Sequence, residues 1–153
     1  MRDLAIRVAV ASLLAAVGCA SGPIELYEGG PRDRSEIAVI RRSAARADLT
    51  VFRIDSYHTN GHEWHVEPGP HRVWVQLVQY GVAMNVRFKA NMFCSLDFDA
   101  TAGDTYEIAS NSDQRFSGVN TEVKFGTWII DGRGATVAEP QCYDRPPRFD
   151  ASN

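Results

Sequence analysis

WHVEPGPHRVWVQLVQY, residues Trp64 to Tyr80, is the stretch that decides the fold. It reads as a strand, a tight turn and a second strand. Pro68-Gly69-Pro70 supplies the turn, because proline fixes φ and glycine tolerates positive φ. Beyond the turn, Val73, Val75 and Leu77 point one way and Arg72, Trp74, Gln76 and Val78 the other. A period of two with one apolar side is the pattern of a strand laid on a core.

The same reading extends in both directions. Upstream, Leu49–Ile54 (LTVFRI) has β character, and Leu49, Val51 and Phe52 fit a buried strand. Glu36–Arg41 is a short apolar run in which periodicity cannot separate strand from helix. Arg42–Asp48 reads as a loop. Asp55–Glu63 is polar, and Asn60-Gly61 within it signals a hairpin. Downstream, Val86, Phe88, Ala90, Met92, Cys94, Leu96, Phe98 and Ala100 share one parity. They make one long strand, or two with a turn near Lys89–Met92. Ala102-Gly103-Asp104 turns the chain into Thr105–Ala109. Ser110–Asn120 is polar and reads as a mobile loop. Val123–Asp131 and Ala135–Ala138 flank a turn at Asp131–Gly134. Many short strands, frequent turn signals and no amphipathic helix predict an all-β fold, a single antiparallel β-sandwich.

The chain of 153 residues suffices for one domain. Its net charge of −3 does not suggest nucleic acid, which would call for a basic patch. The N-terminus reads as an address. Arg2 and Arg7 precede the apolar run Val8–Val17, which is shorter than the roughly 20 residues a bilayer span needs and fits a secretory signal. Asp3 is unusual in such a region. The run ends in Ala16-Val17-Gly18-Cys19, which resembles the lipobox of bacterial lipoproteins, with Ala16 where leucine is commonest. The resemblance implies cleavage before Cys19 and acylation of that residue, so the expected partner of Cys19 is a lipid bilayer. Ala20 after the cysteine implies the outer membrane, facing the periplasm. The organisation is then a signal peptide at 1–18, the lipidated cysteine and a Gly/Pro-rich flexible tether at 19–34, the sandwich at 35–142 and a disordered tail at 143–153.

Lipidation of Cys19 would leave Cys94 and Cys142 as an even pair in an oxidising compartment, where a disulfide is favoured over two buried thiols.

Two groups of residues resemble known families. Tyr27, Gly30-Pro31 and Glu36–Ile40 resemble the start of a family of small proteobacterial lipoproteins. Ile54-Asp55, then Val66-x-Pro68-Gly69-x-His71-x-Val73-x-Val75, then Phe98-x-Ala100-x-x-Gly103-x-x-Tyr106 is similar to that family's body. It also resembles the PEGA and carboxypeptidase-regulatory-like β-sandwich modules. Ser56 stands where those modules carry glycine, so that turn must differ. The resemblance implies a fold and an envelope location, and it brings no catalytic residues.

Candidate chemistry is sparse. All four histidines fall between His58 and His71. His58, His62 and His65 are the candidates for a metal site, with Glu63 beside them, since imidazoles ligate zinc or copper. Surface or turn roles are the simpler reading, and His71 has a turn role by the resemblance. Ser56, His58 and Asp55 are too close in sequence for triad geometry. Asp97 and Asp99 share a strand face, as solvated residues do. Trp74 and Tyr80 lie on the outward face of their strand, either as packing residues or as an aromatic patch for sugar or peptide. The expected function is non-enzymatic and without a cofactor: an outer-membrane lipoprotein acting as a structural or interaction module of the envelope, with an envelope protein as partner. The alternatives are a metal-binding envelope protein using His58, His62 and His65, and carbohydrate or peptidoglycan binding.

Overall fold

A computed structural model describes residues 22–43, 49–83, 86–117 and 120–149. The expected signal peptide, Cys19, most of the loop after Arg42 and the last four residues of the tail lie outside the described residues.

Among the described residues there are eleven strands and no helix. They are β1 (Ile24–Glu25), β2 (Ala38–Arg42), β3 (Leu49–Ile54), β4 (Tyr57–His58), β5 (Glu63–Val66), β6 (Gly69–Ala83), β7 (Val86–Ala100), β8 (Thr105–Ser117), β9 (Asn120–Ile130), β10 (Thr136–Ala138) and β11 (Pro140–Tyr143). They form two sheets, ordered β1-β5-β2-β8-β9-β10 and β11-β7-β6-β3-β4. The fold is the expected all-β sandwich. Its pairing is antiparallel except at β1–β5 and β2–β8, which are parallel. A parallel pair needs a crossover, and the crossover between β2 and β8 includes the whole β3–β4 and β6–β7 part of the second sheet.

The core lies between the sheets. Ala38, Ile40, Trp64, Val66, Tyr106, Ile108 and Ile129 from one sheet meet Leu49, Val51, Ile54, Val73, Val75, Leu77, Leu96 and Phe98 from the other. The alternation read in β6 is the one observed: Val73, Val75 and Leu77 are buried. The strand before the turn belongs elsewhere, however. β5 pairs with β1 and β2, whereas β6 pairs with β3 and β7. Pro68-Gly69-Pro70 therefore carries the chain from one sheet to the other, with Gly69 at φ 128°, a conformation open to glycine alone.

The apolar run at Glu36–Arg41 contains a strand. Ile37 and Val39 are buried as well as Ala38 and Ile40. Burial on both faces removes the period of two, so the run carried no alternation to read.

Several expectations are corrected. The hairpin in the polar stretch closes at Asp55-Ser56, joining β3 to β4, and Asn60-Gly61 lies in the connection to β5. Asp55 takes the left-handed conformation, at φ 51°, which aspartate tolerates better than most residues. Phe52 is not a core residue. The register of β3 against β6 shifts between Val51 and Arg53, so Phe52 is the extra residue of a bulge. The shift returns Ile54 to the core and places Phe52 and Arg53 on the outer face. In the stretch Ser110–Asn120, read as a loop, Ser110–Ser117 are the outer half of β8 and Asn120 opens β9, which pairs with it. Of the two readings of Val86–Ala100, the single long strand is the one observed. In the stretch read as a tether, Ile24–Glu25 adds to the sheet edge beside Trp64 and His65. In the tail, Tyr143 pairs with Phe93 and Phe149 packs on the second sheet.

The Cys94–Cys142 disulfide is present. β11 lies against β7 with the two cysteines directly opposite each other, which brings their Cβ atoms within bonding reach.

Candidate functional site

The outer face of the β11-β7-β6-β3-β4 sheet carries a groove of about 750 Å³. It is built by cross-strand neighbours. The bulge of β3 presents Arg53. Arg72 and Trp74 point outward from β6, and Asp97 and Asp99 from β7. Arg72 lies directly opposite Asp97 in the ladder. Its Nε is 2.5 Å from Asp97 Oδ1 and its Nη2 2.7 Å from Oδ2. This forked geometry suits guanidinium and carboxylate. The Arg72 hydrogen bonds hold the Asp97 carboxyl below its ordinary range against the opposing effect of burial.

The chain's own tail enters this groove. The Phe149 ring lies edge-on to Trp74 at 5.2 Å, and the Arg53 guanidinium stands 4.2 Å from its centroid. Phe52 and His58 meet the same ring at 6.1 and 6.4 Å. Tyr143 lies 6.2 Å from Trp74. An aromatic ring under a guanidinium and against an indole gains both cation–π and edge-to-face attraction. Trp74 is thus a packing residue, as its amphipathic strand allowed. Tyr80 is 67% exposed, far from it at the end of β6.

The end wall of the groove is an ion pair. His71 Nδ1 lies 2.6 Å from Asp55 Oδ2, and its Nε2 lies 2.6 Å from the Glu67 carbonyl oxygen. Both partners are acceptors, so only the doubly protonated ring donates to both. Asp55 Oδ1 also accepts the Arg72 N–H at 2.8 Å. Burial alone would lower the His71 pKa, but the Asp55 hydrogen bond, the Glu67 carbonyl and the Asp55 charge reverse it, and the ring titrates above 6.5. Burial would raise Asp55, yet the bonds from His71 and the Arg72 N–H bring it below 3.8.

Linkage then sets the pH window. A raised histidine stabilises the fold below its unfolded value of 6.5 and loses that effect as pH climbs through the folded value. A depressed aspartate stabilises above 3.8 and loses that effect as pH falls through its folded value. Denaturant midpoints are expected to be highest between these limits and to decline on the alkaline side. Asp55→Asn is expected to flatten the alkaline decline. The same slope in wild type and Asp55→Asn would rule out the pair as its source.

The expected candidates separate in space. His58 touches Phe149, His62 lies 2.8 Å from Arg42 Nη2, and His65 lies 3.1 Å from Glu63 Oε1. Glu63 also takes Arg41 Nε at 2.6 Å. Among the described residues no three His, Cys, Asp or Glu side chains converge into a group that could hold a metal ion. The Ser56, His58 and Asp55 arrangement fails for a definite reason: the Asp55 carboxylate is engaged by His71, 16 residues on. Arg53, Arg72 and Phe149 were not singled out in the sequence. Arg53 depends on a bulge, and Phe149 on where the tail returns, neither of which leaves a local signal.

The motif similar to the β-sandwich modules has a physical basis here. Phe98 and Tyr106 pack at 4.9 Å, the Tyr106 hydroxyl accepts the Thr101 N–H at 3.0 Å, and Gly103 turns between them at φ 82°. Comparison with protein-family models, with curated proteins and with solved structures finds no match for the chain.

Proposed function

We propose that the protein is a non-enzymatic, lipid-anchored module of the bacterial outer membrane, facing the periplasm, whose outer groove docks an extended segment of an envelope protein. The observation that carries the reading is Phe149 seated between Arg53 and Trp74. A groove that takes an aromatic ring from an extended stretch of its own chain has the chemistry to take one from another. Arg53, Arg72, Asp97 and Asp99 give such a segment charges of both signs to align with, which favours register over bulk affinity. The lipobox-like start and the disulfide support the compartment.

Two experiments test the parts separately. Palmitate is expected to label the wild type and not Cys19→Ser, with unprocessed precursor accumulating under globomycin. For the groove, carbodiimide crosslinking in intact envelopes should join Asp97 or Asp99 to an amine of a discrete protein. The adduct is expected to vanish in the Asp97→Asn, Asp99→Asn double variant. An adduct pattern unchanged by that variant, or no adduct at all, rules out docking at this face.

A further inference from the structure

The strand registers give the domain a direction. Ile24, Trp64, Ile40 and Tyr106 are successive partners across one sheet. β1 and β5 run down from that row, so the chain enters from above it. β2 and β8 run up from it. Above Ile108, β8 and β9 lose their outer neighbours and continue as a two-stranded ribbon to Ser117 and Asn120. β6 and β7 do the same above Leu77 and Met92, to Ala83 and Val86. The ribbons rise side by side, joined where Ser112 Oγ donates to Gln79 Oε1 at 2.7 Å. Two arms therefore project from the end of the sandwich at which the N-terminal segment arrives, while the groove faces the other end.

Length decides what the arms meet. Ile24 lies five positions beyond Cys19, a reach of at most about 17 Å when fully extended. The β8–β9 arm continues eleven residues from Tyr106 to Ser117, about 36 Å along the strand. Acyl chains on Cys19 would hold the bilayer surface nearer to the row than the arm's own tip. The arms then dip into that surface or lie along it.

Their chemistry suits such contact. On the outer face of the β6–β7 arm, Tyr80 is paired with Lys89 and Val82 with Arg87. Tyr80 and Val82 are 67% and 62% exposed, and Lys89 Nζ stands 5.7 Å from the Tyr80 ring. Between Val73 and Leu96 the sequence contains no acid, in a chain whose net charge is −3. On the second arm Asp113 pairs with Arg115 and Glu122 with Lys124, so the surplus on the arms is basic. An aromatic ring, an apolar side chain and two cations on one exposed face match the interface of an anionic bilayer.

We infer that the paired hairpin arms, through Tyr80, Val82, Arg87 and Lys89, are a second membrane contact that sets the domain upright on an anionic lipid surface. The inference rests on the lipid-anchored reading for its direction. The test places a benzophenone amino acid at position 82 of the full chain, and at position 137 on β10 as control, and irradiates growing cells. Phospholipid adducts are expected at 82 and not at 137. Arg87→Glu with Lys89→Glu is expected to lower their yield about tenfold, since both cations lose their attraction to anionic headgroups. An adduct to a second copy or another protein in place of lipid overturns the inference, as does no lipid adduct in a protein that carries palmitate. Lipid adducts at 82 in a protein without palmitate would instead overturn the anchor and leave the arms standing.

Discussion

Trp64→Ala is expected to lower the free energy of unfolding by about 3–5 kcal/mol, the usual cost of removing a fully enclosed large aromatic. Trp64 is fully buried, in the middle of the row that links β1, β5, β2 and β8. Its loss opens a cavity with Ile24 on one side and Ile40 on the other, and the sheets cannot close over it without breaking register. Domains of this size hold only about 5–15 kcal/mol in all, so the variant sits near the threshold of folding. The indole N–H also donates to Thr59 Oγ1. Thr59→Val keeps the shape and removes the acceptor, and is expected to cost about 1–3 kcal/mol. Denaturant titration of both variants checks the pair. A Trp64→Ala cost near that of Thr59→Val would mean that the ring contributes little beyond its hydrogen bond.

Cys142→Ser is expected to cost on the order of 4 kcal/mol, the closure entropy of a loop between cysteines 48 positions apart. The melting temperature should fall on the order of 10 °C. The two cysteines are not equivalent. Cys142 is on the exposed strand β11, whereas Cys94 is fully buried in the core. Cys94→Ser therefore adds the penalty of a buried hydroxyl and is expected to be the worse of the two. The effect reaches the groove as well. β11 is four residues long and exposed, and it leads into the segment that sets Phe149 against Trp74. Reduction should free the tail, shift Trp74 emission to the red and open the Arg148–Phe149 bond to trypsin. Equal melting temperatures with and without reductant would show that β11 is held by its ladder alone.

The site was legible in part. The His71 turn role came from the resemblance, and the ion pair with Asp55 joins two segments of that same motif order. The disulfide followed from the cysteine count and the compartment expected from the N-terminus. The groove did not follow. Its walls come from β3, β6, β7 and the tail, and a period of two says only that Arg72, Trp74 and Asp97 face outward. The histidines looked like a cluster because they are close in sequence, yet their strands and loops lead them to Phe149, Arg42, Glu63 and Asp55.

What the sequence by itself determined was local. Alternation marked β6 and β7, and turn residues marked the breaks at Pro68–Pro70, Ala102–Asp104 and Asp131–Gly134. These follow from φ preferences and side-chain parity within a few residues. The outer half of β8 escaped because both faces of an unpacked ribbon are polar, which leaves no alternation to see. Tertiary structure alone decided that β5 and β6 belong to different sheets, that Phe52 bulges outward, that Phe149 returns to Trp74 and that the arms rise from the N-terminal end. Each depends on which strands pair across the sandwich. That choice is made by burying the two apolar faces against each other, an interaction between segments far apart in sequence that no local pattern encodes.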